Sequence, residues 1–137
     1  MEEGILKIRE KYTCPLELTL DMIAGKWKPI ILWRLRLGSQ QLSTLHRDIH
    51  GINQKMLIQH LSELIDCGIV SKKVYEGYPL KVEYFLTELG WNFMKGLEFF
   101  QSIGQEILSG DTDTVALPVT NEIKMAKRKY PSSVSVS

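Results

Sequence analysis

The sequence lacks the segments that would place a protein in a membrane or export it. No apolar run approaches the ~20 residues of a membrane-spanning helix, and the N-terminus has neither the basic start nor the apolar block of a signal peptide. Only two cysteines are present, Cys14 and Cys67, too few to suggest a disulfide framework. We therefore expect a cytoplasmic protein in a reducing compartment, without a membrane partner.

Catalytic and metal-binding motifs are also missing. There is no Gly-rich phosphate loop, no nucleophile–base pair in an identifiable context, and no pair of carboxylates at a predicted cleft. His46 and His50 are one helical turn apart, but His60 lies on another segment, so three or four metal ligands are not expected to converge. We predict a protein that is not an enzyme and that has no metal site and no cofactor.

The net charge is small, but it is unevenly distributed. The 137 residues, 44% of them hydrophobic, suffice for one domain with a core, and their formal charge is +1. Residues 26–81 hold nine lysines and arginines against four acids, whereas the rest of the chain holds eight against twelve. The positive charge is concentrated in the middle of the chain, which modestly favours a nucleic-acid partner.

Hydrophobic periodicity and turn residues predict a mainly helical chain with one β-hairpin. Residues 40–42 are expected to be extended, and Ser43 to cap a short helix. The turn Glu76-Gly-Tyr-Pro79 separates two β-branched and aromatic segments, which is typical of a hairpin. The predicted helices are 15–23, 27–37, 44–49, 53–67 and 87–109, and the predicted strands are 69–75 and 82–86.

Residues 53–67 are the most informative segment. Leu57, Leu61 and Leu64 recur at helical spacing and form one apolar stripe. Asn53 can cap the first turn, and Gly68 can adopt the left-handed conformation that ends a helix. The segment therefore predicts an amphipathic helix that leads directly into a strand.

The polar side of this helix suits the edges of DNA bases. Lysine can donate to guanine and glutamine can bond to adenine in the major groove. An ordinary solvated helix surface is the alternative, which the neighbouring hairpin makes less favoured. The candidates for DNA contact on this segment are Asn53, Gln54, Lys55, Ile58, Gln59 and Ser62.

A short helix joined tightly to a polar-faced helix is typical of a helix-turn-helix, and the hairpin beside it is then the wing. The predicted fold class is mainly α with a small β-hairpin (α+β), a winged helix-turn-helix. Lysines on the wing and at the start of the second helix would contact phosphates, although a solvated surface explains them as well. These further candidates for DNA contact are Lys26, Lys28, Lys72, Lys73, Tyr78 and Lys81.

The last helix has an apolar face wider than one small domain requires, which predicts dimerisation through the terminal helices. A broad intramolecular core face is the alternative. We expect residues 1–13 to be an arm or short helix, 14–109 the winged helix-turn-helix domain, and 110–137 a flexible tail. The predicted dimerisation residues are Leu16, Leu20, Phe93, Leu97, Phe100 and Ile107.

Short motifs are spread over residues 12–100. They are Cys14-Pro-Leu-Glu17, Ile23-Ala-Gly-Lys-Trp27, Gly51-Ile52, Leu57, Leu61, Leu64, Gly68-Ile-Val70, Val82-Glu-Tyr84 and Leu86-Thr-x-x-Gly90. Together these motifs resemble the HxlR family of bacterial transcription regulators, which are related to MarR-type winged-helix proteins. The resemblance implies a cytoplasmic homodimer that binds a pseudo-palindromic operator in double-stranded DNA.

The resemblance also bears on the cysteines. Some family members sense oxidants, electrophiles or aldehydes through the cysteine that matches Cys14, and a helix N-terminus such as the one at Pro15 favours the reactive thiolate. A buried, inert cysteine is the alternative for Cys14, and Cys67 is expected to be structural. The chain departs from many relatives at Gln59 and His60, where they carry basic residues, and at Cys67, where they carry alanine.

The predicted function is sequence-specific regulation of transcription, responsive to an oxidant, an electrophile or a small aromatic effector. The main alternative is a winged-helix module for protein–protein contact without specific DNA binding, which the near-neutral total charge favours slightly. A third is a ligand-binding protein that uses an apolar pocket under Trp27, Trp33 and the last helix.

Overall fold

The computed structural model describes residues 11–110, which form five helices and one antiparallel hairpin in the order that the sequence predicts. The predicted arm and tail lie outside these residues, except for residues 11–13 and Gly110. The elements are α1 (Pro15–Met22), α2 (Trp27–Leu35), α3 (Leu42–Asp48), α4 (Gln54–Asp66), β1 (Val70–Tyr75), β2 (Lys81–Leu86) and α5 (Glu88–Ser109).

The core forms where α2, α3 and α4 contact one another. Leu57, Leu61 and Leu64 of α4 are at most 1% exposed, so the predicted apolar stripe is confirmed. Ile31 of α2 and Leu45 of α3 are completely buried in the same core. Burial of each such side chain stabilises the fold by about 1.5–3 kcal/mol, which fixes α4 with one side inward.

Both ends of α4 are capped as predicted. The Asn53 side-chain oxygen accepts a hydrogen bond from the Met56 amide at 2.8 Å. Gly68 has a φ of 77°, and its amide donates to the Ile65 carbonyl at 2.9 Å. The left-handed glycine turns the chain out of α4 and into β1 after one intervening residue.

The hairpin is joined to the helices by a short bridge. Val70 pairs with Leu86 at one end of the ladder and Tyr75 with Lys81 at the other. Gln40 exchanges backbone hydrogen bonds of 2.9 and 2.8 Å with Tyr84. The predicted extended segment is therefore present at Gln40, where it ties the start of α3 to β2.

Thr87 and Gly90 explain the motif that precedes α5. The Thr87 hydroxyl accepts a hydrogen bond from the Gly90 amide at 3.2 Å and donates to the Gly68 carbonyl at 2.6 Å and the Ile69 carbonyl at 3.0 Å. A Cβ on Gly90 would collide with the Ile69 carbonyl oxygen. The motif thus begins α5 and fastens it to the corner between α4 and β1.

Two predicted boundaries are wrong by two residues. Gln41, not Ser43, is the N-cap of α3, because the bridge at Gln40 keeps the chain extended only that far. α2 ends at Leu35, two residues before the predicted end, since the amides of Arg36 and Leu37 bond back three residues and tighten the last turn.

The described chain divides into two compact units between Met94 and Lys95, within α5. The helix-turn-helix and the hairpin all belong to the first unit. No helix within residues 11–110 combines the length and the apolar character needed to cross a membrane.

Candidate nucleic-acid interface

The structure brings the predicted base-contacting residues together on one exposed surface, which we call the recognition face. Its members Lys55, Gln59 and Ser62 lie opposite the buried leucine stripe of α4. The face carries both polar and apolar groups, because Ile58 places an apolar side chain among lysine, amide and hydroxyl groups. Its residues, all exposed, are Asn53, Gln54, Lys55, Ile58, Gln59 and Ser62.

Two members of this face also have partners within the protein. Asn53 uses its side-chain oxygen to cap α4, so it orients the helix. The Gln59 amide donates to Glu63 at 3.3 Å, one turn along α4. Lys55 and Gln54 stand at the exposed start of the helix, where a recognition helix contacts base edges.

The structure gives Lys28 a role other than the predicted phosphate contact. Its ammonium lies 2.9 Å from the Glu63 carboxylate, and its side chain is only 11% exposed. The hydrogen bond from Lys28 lowers the pKa of Glu63 below its usual range. Lys28 therefore holds α2 against α4, while the exposed Lys26 remains a candidate for phosphate contact, with its ammonium 4.6 Å from the Trp27 ring centre.

His60 and Cys67 both lie close to the same ion pair. The His60 Nδ1 atom is buried and lies 3.7 Å from the Glu63 carboxylate. Burial raises the pKa of the Cys67 thiol, with the lysine charge at Lys28 opposing that shift. These surroundings favour the protonated thiol of Cys67 over the thiolate.

The two adjacent lysines of β1 lie on opposite faces of the wing. Side chains alternate along a strand, and Lys72 pairs with Tyr84 whereas Lys73 pairs with Glu83. The Lys73 and Lys81 ammonium groups lie 5.0 and 5.3 Å from the Tyr75 ring centre. Lys73 and Lys81 thus share one face, so the two β1 lysines are not expected to contact the same stretch of phosphates.

The tip of the wing, residues 76–80, is exposed and mostly apolar. Tyr78 is completely exposed and Leu80 is 66% exposed. Glu76 is the one charged residue of this turn. Any contact from the tip to DNA would therefore be aromatic or apolar, and the phosphate contacts would come from lysines on the strands.

A groove between α3, the start of α4 and the wing was missed by the sequence analysis. It encloses about 640 Å³. The predicted apolar pocket was placed elsewhere, under Trp27, Trp33 and the last helix. No local motif could reveal this groove, because three separate elements form it. Its lining residues are Gln41, Leu42, Ser43, His46, Arg47, Gln54, Pro79, Leu80, Lys81, Val82 and Tyr84.

Cys14 is exposed at the N-cap of α1, so the alternative of a buried cysteine is wrong. Its backbone is extended, with a φ of −161°, and Pro15 begins the helix. The sulfur is therefore open to reagents. No group of three or more His, Cys, Asp or Glu side chains within residues 11–110 is arranged to hold a metal ion.

The predicted dimerisation residues differ in exposure. Leu16 and Leu20 of α1 are 62% and 50% exposed, and no residue of α1 is buried. Phe100 of α5 is 67% exposed, whereas Leu97 is buried. The remaining two, Phe93 and Ile107, are half-buried. The exposed apolar groups are available to a partner, and the buried ones serve the single chain.

The family model described as HxlR-like helix-turn-helix matches residues 22–112. The chain belongs to the HxlR family. The regulatory protein MalR of Fusobacterium mortiferum is 44% identical to it over 102 residues, which are 74% of this chain and 96% of MalR. This HxlR-family chain is a helix-turn-helix transcriptional regulator and not an enzyme.

Solved structures agree with the winged-helix architecture. The redox regulator HypR in its reduced form superposes with a TM-score of 0.65 at 38% identity, over 68% of this chain and 92% of HypR. A MarR-family regulator from Porphyromonas gingivalis W83 gives 0.67 at 32% identity, over 73% and 98%. The predicted fold class, winged helix-turn-helix, is therefore confirmed.

Proposed function

We propose that this HxlR-family regulator binds double-stranded DNA sequence-specifically, in the cytoplasm, through the recognition face of α4. The observation that carries the proposal is that every residue of that face is exposed, beside a wing that carries three exposed lysines. An exposed polar helix of this width fits the ~12 Å major groove of B-DNA. The membership in a family of helix-turn-helix regulators supports the same conclusion.

The two kinds of basic residue would have different tasks. Lys55 and Gln59 are placed to bond base edges, which gives sequence preference. Lys26, Lys73 and Lys81 are placed to bond phosphates, which gives affinity and register. Lys28 is left out of this interface because its side chain is only 11% exposed and its charge is paired with Glu63. Lys81 lies 3.4 Å from Glu83, but its side chain is 51% exposed and stays accessible to a phosphate.

The DNA would be a pseudo-palindromic operator bound by a homodimer. The exposed leucines of α1 and the exposed phenylalanines of the terminal helix support pairing through the terminal helices. Each subunit would then present one recognition face, with half-sites about one helical turn apart.

The test is fluorescence anisotropy on a DNA fragment selected from random sequence, over a salt series. Lys55→Ala should weaken specific binding about 5- to 150-fold, the equivalent of roughly 1–3 kcal/mol, and weaken non-specific binding less. Lys73→Ala should weaken both alike and reduce the salt slope by about one unit. Lys95→Ala removes one exposed charge outside residues 26–81 and serves as the matched control.

Equal effects of Lys55→Ala and Lys73→Ala on specific and non-specific DNA would contradict this division of tasks. No binding to any selected fragment, with no salt dependence, would instead support the alternative of a protein–protein module.

We also propose that Cys14 makes the regulator responsive to oxidants or electrophiles. The exposed sulfur at the start of α1, beside the exposed Leu16, supports this role. HypR, a structural relative, is a redox regulator with reduced and oxidised forms. Modification of Cys14 would act on the dimer contact and so alter the spacing of the two recognition faces.

A further inference from the structure

The Glu63 carboxylate joins the recognition face to the helix behind it. Its Oε1 atom lies 2.9 Å from the Lys28 ammonium of α2, and its Oε2 atom accepts a hydrogen bond of 3.3 Å from the Gln59 side-chain amide. One carboxylate therefore contacts a nearly buried lysine through one oxygen and a predicted base-contacting glutamine through the other.

The Oε1 atom of Glu63 is held by groups that are themselves largely buried. The Lys28 side chain is only 11% exposed, and the buried His60 Nδ1 atom lies 3.7 Å from the same Oε1 atom. The hydrogen bond from Lys28 lowers the pKa of Glu63, so the carboxylate is charged at neutral pH. Glu63 is thus an anchored, charged acceptor one helical turn from Gln59.

The hydrogen bond to Glu63 decides what the Gln59 amide can offer to DNA. A glutamine amide carries two N–H donors and one carbonyl acceptor. Because one N–H is donated to Glu63, one donor and the carbonyl oxygen remain for a base. A donor beside an acceptor matches adenine, which presents N7 as an acceptor and N6–H as a donor in the major groove.

Guanine would need a different arrangement of the same amide. Its major-groove edge presents two acceptors, N7 and O6, so Gln59 would have to donate both N–H groups to bond it twice. Glu63 already holds one of them through a charge-assisted hydrogen bond, which is stronger than a neutral one. The carboxylate therefore favours adenine over guanine at the base that Gln59 meets.

The negative charge of Glu63 is compatible with a nearby duplex. An unpaired carboxylate next to DNA would repel phosphates. The Glu63 side chain is 43% exposed, but its charge is paired with that of Lys28. Glu63 can therefore lie beside the recognition face and still allow DNA to approach.

We propose that Glu63 is a positioning residue that makes Gln59 select adenine at one position of each half-site. Lys28 anchors Glu63 from α2, Glu63 orients the amide of Gln59, and Gln59 contacts the base. This inference rests on the proposed DNA-binding function. It adds which base the recognition face selects and what sets that choice.

The test is fluorescence anisotropy at fixed salt, with the selected DNA fragment and with fragments changed at single base pairs. The Gln59 position is the one at which Gln59→Ala loses its base preference. There the wild type should bind adenine about tenfold more tightly than guanine. The base analogue 7-deazaadenine, which lacks the N7 acceptor, should weaken wild-type binding about fivefold and leave binding by Gln59→Ala unchanged.

The double variant Lys28→Met with Glu63→Met removes the acceptor without leaving an unpaired lysine charge, and it keeps the net charge of the chain. It should bind the adenine and guanine fragments within about threefold of each other, with its preferences at other positions unchanged. Glu63→Gln retains a weaker, neutral acceptor, so its preference should fall between those of the double variant and the wild type. Glu98→Gln, an exposed glutamate of α5, is the control and should keep the wild-type preference.

A purely structural role of Glu63 would lower the affinity for both fragments alike and keep their ratio, and that result would overturn the proposal. Loss of a cytosine preference in Glu63→Gln would also overturn it, because the carboxylate would then bond the base itself. Undiminished binding of the 7-deazaadenine fragment by the wild type would exclude the adenine contact. In all three cases the chain still binds DNA, whereas failure to bind any selected fragment would refute the proposed function together with this inference.

Discussion

The ion pair between Lys28 and Glu63 should contribute measurably to stability. It joins α2 to α4 at 2.9 Å, with the lysine side chain 11% exposed and the glutamate 43% exposed. Solvent-exposed pairs contribute about 0–1 kcal/mol, and breaking a fully buried pair costs about 3–5 kcal/mol. Because solvent screens the glutamate but hardly reaches the lysine, this pair lies between these two cases. We expect Glu63→Gln to lower the free energy of unfolding by about 1–2 kcal/mol at pH 7.

The pH dependence follows from the direction of the pKa shift. Hydrogen bonding to Lys28 lowers the pKa of Glu63 in the folded state below its unfolded value of about 4.3. The stabilisation is therefore fully present above the unfolded pKa and is lost as the pH falls through the folded pKa. The difference between the wild type and Glu63→Gln should shrink over that acidic range.

Thermal unfolding followed by circular dichroism checks both points. For a domain of this size, the expected decrease in Tm at pH 7 is about 5–15 °C. Glu98→Gln, an exposed glutamate of α5, is the matched control and should unfold close to the wild type. Lys28→Met should cost a similar amount, and the double variant should cost less than the sum of the two.

The reasoning would be refuted if the Tm of Glu63→Gln at pH 7 were within one or two degrees of the wild-type Tm. It would also be refuted if the decrease in Tm were as large at acidic pH as at pH 7. In the first case α2 and α4 would be held together by the leucine stripe alone. In the second the glutamine would disturb packing, and the charge would be irrelevant.

Two further predictions concern assembly and sensing. Phe100→Glu should shift the protein from dimer toward monomer in analytical ultracentrifugation and lower its DNA affinity, because it places charge on an exposed apolar face of α5; an unchanged mass would reject that face as the dimer contact. Cys14→Ser should bind DNA normally but keep it after treatment with diamide, and normal release by this variant would show that Cys14 is not the sensor.

The elements were predictable from the sequence because each is set by local chemistry. Asn53 and Gly68 mark the two ends of α4 by capping and by left-handed geometry, and the leucine spacing fixes which side is buried. The hairpin follows from β-branched and aromatic residues on either side of a turn that contains Gly77 and Pro79. The fold class needed only these local signals in the right order.

The boundaries that were missed depend on contacts between distant residues. α3 begins after Gln41 because Gln40 pairs with Tyr84, more than forty residues later. The role of Lys28 could not be predicted either, since its partner Glu63 is on another helix. A lysine at a helix N-terminus looks equally suited to a phosphate or a carboxylate until the neighbouring helix is in place.

The surface proposed to meet DNA also depends on contacts between residues that are distant in sequence. Sequence periodicity separates the exposed side of α4 from its buried side, and the observed exposure agrees with that separation. It does not show that Lys72 and Lys73 lie on opposite faces of the wing, which follows from the register with Tyr84 and Glu83. Nor does a net charge of +1 describe the surface that DNA would meet. Because Lys28 is neutralised by Glu63 while the wing lysines stay exposed, the local arrangement of charge, and not its total, decides whether a duplex can bind.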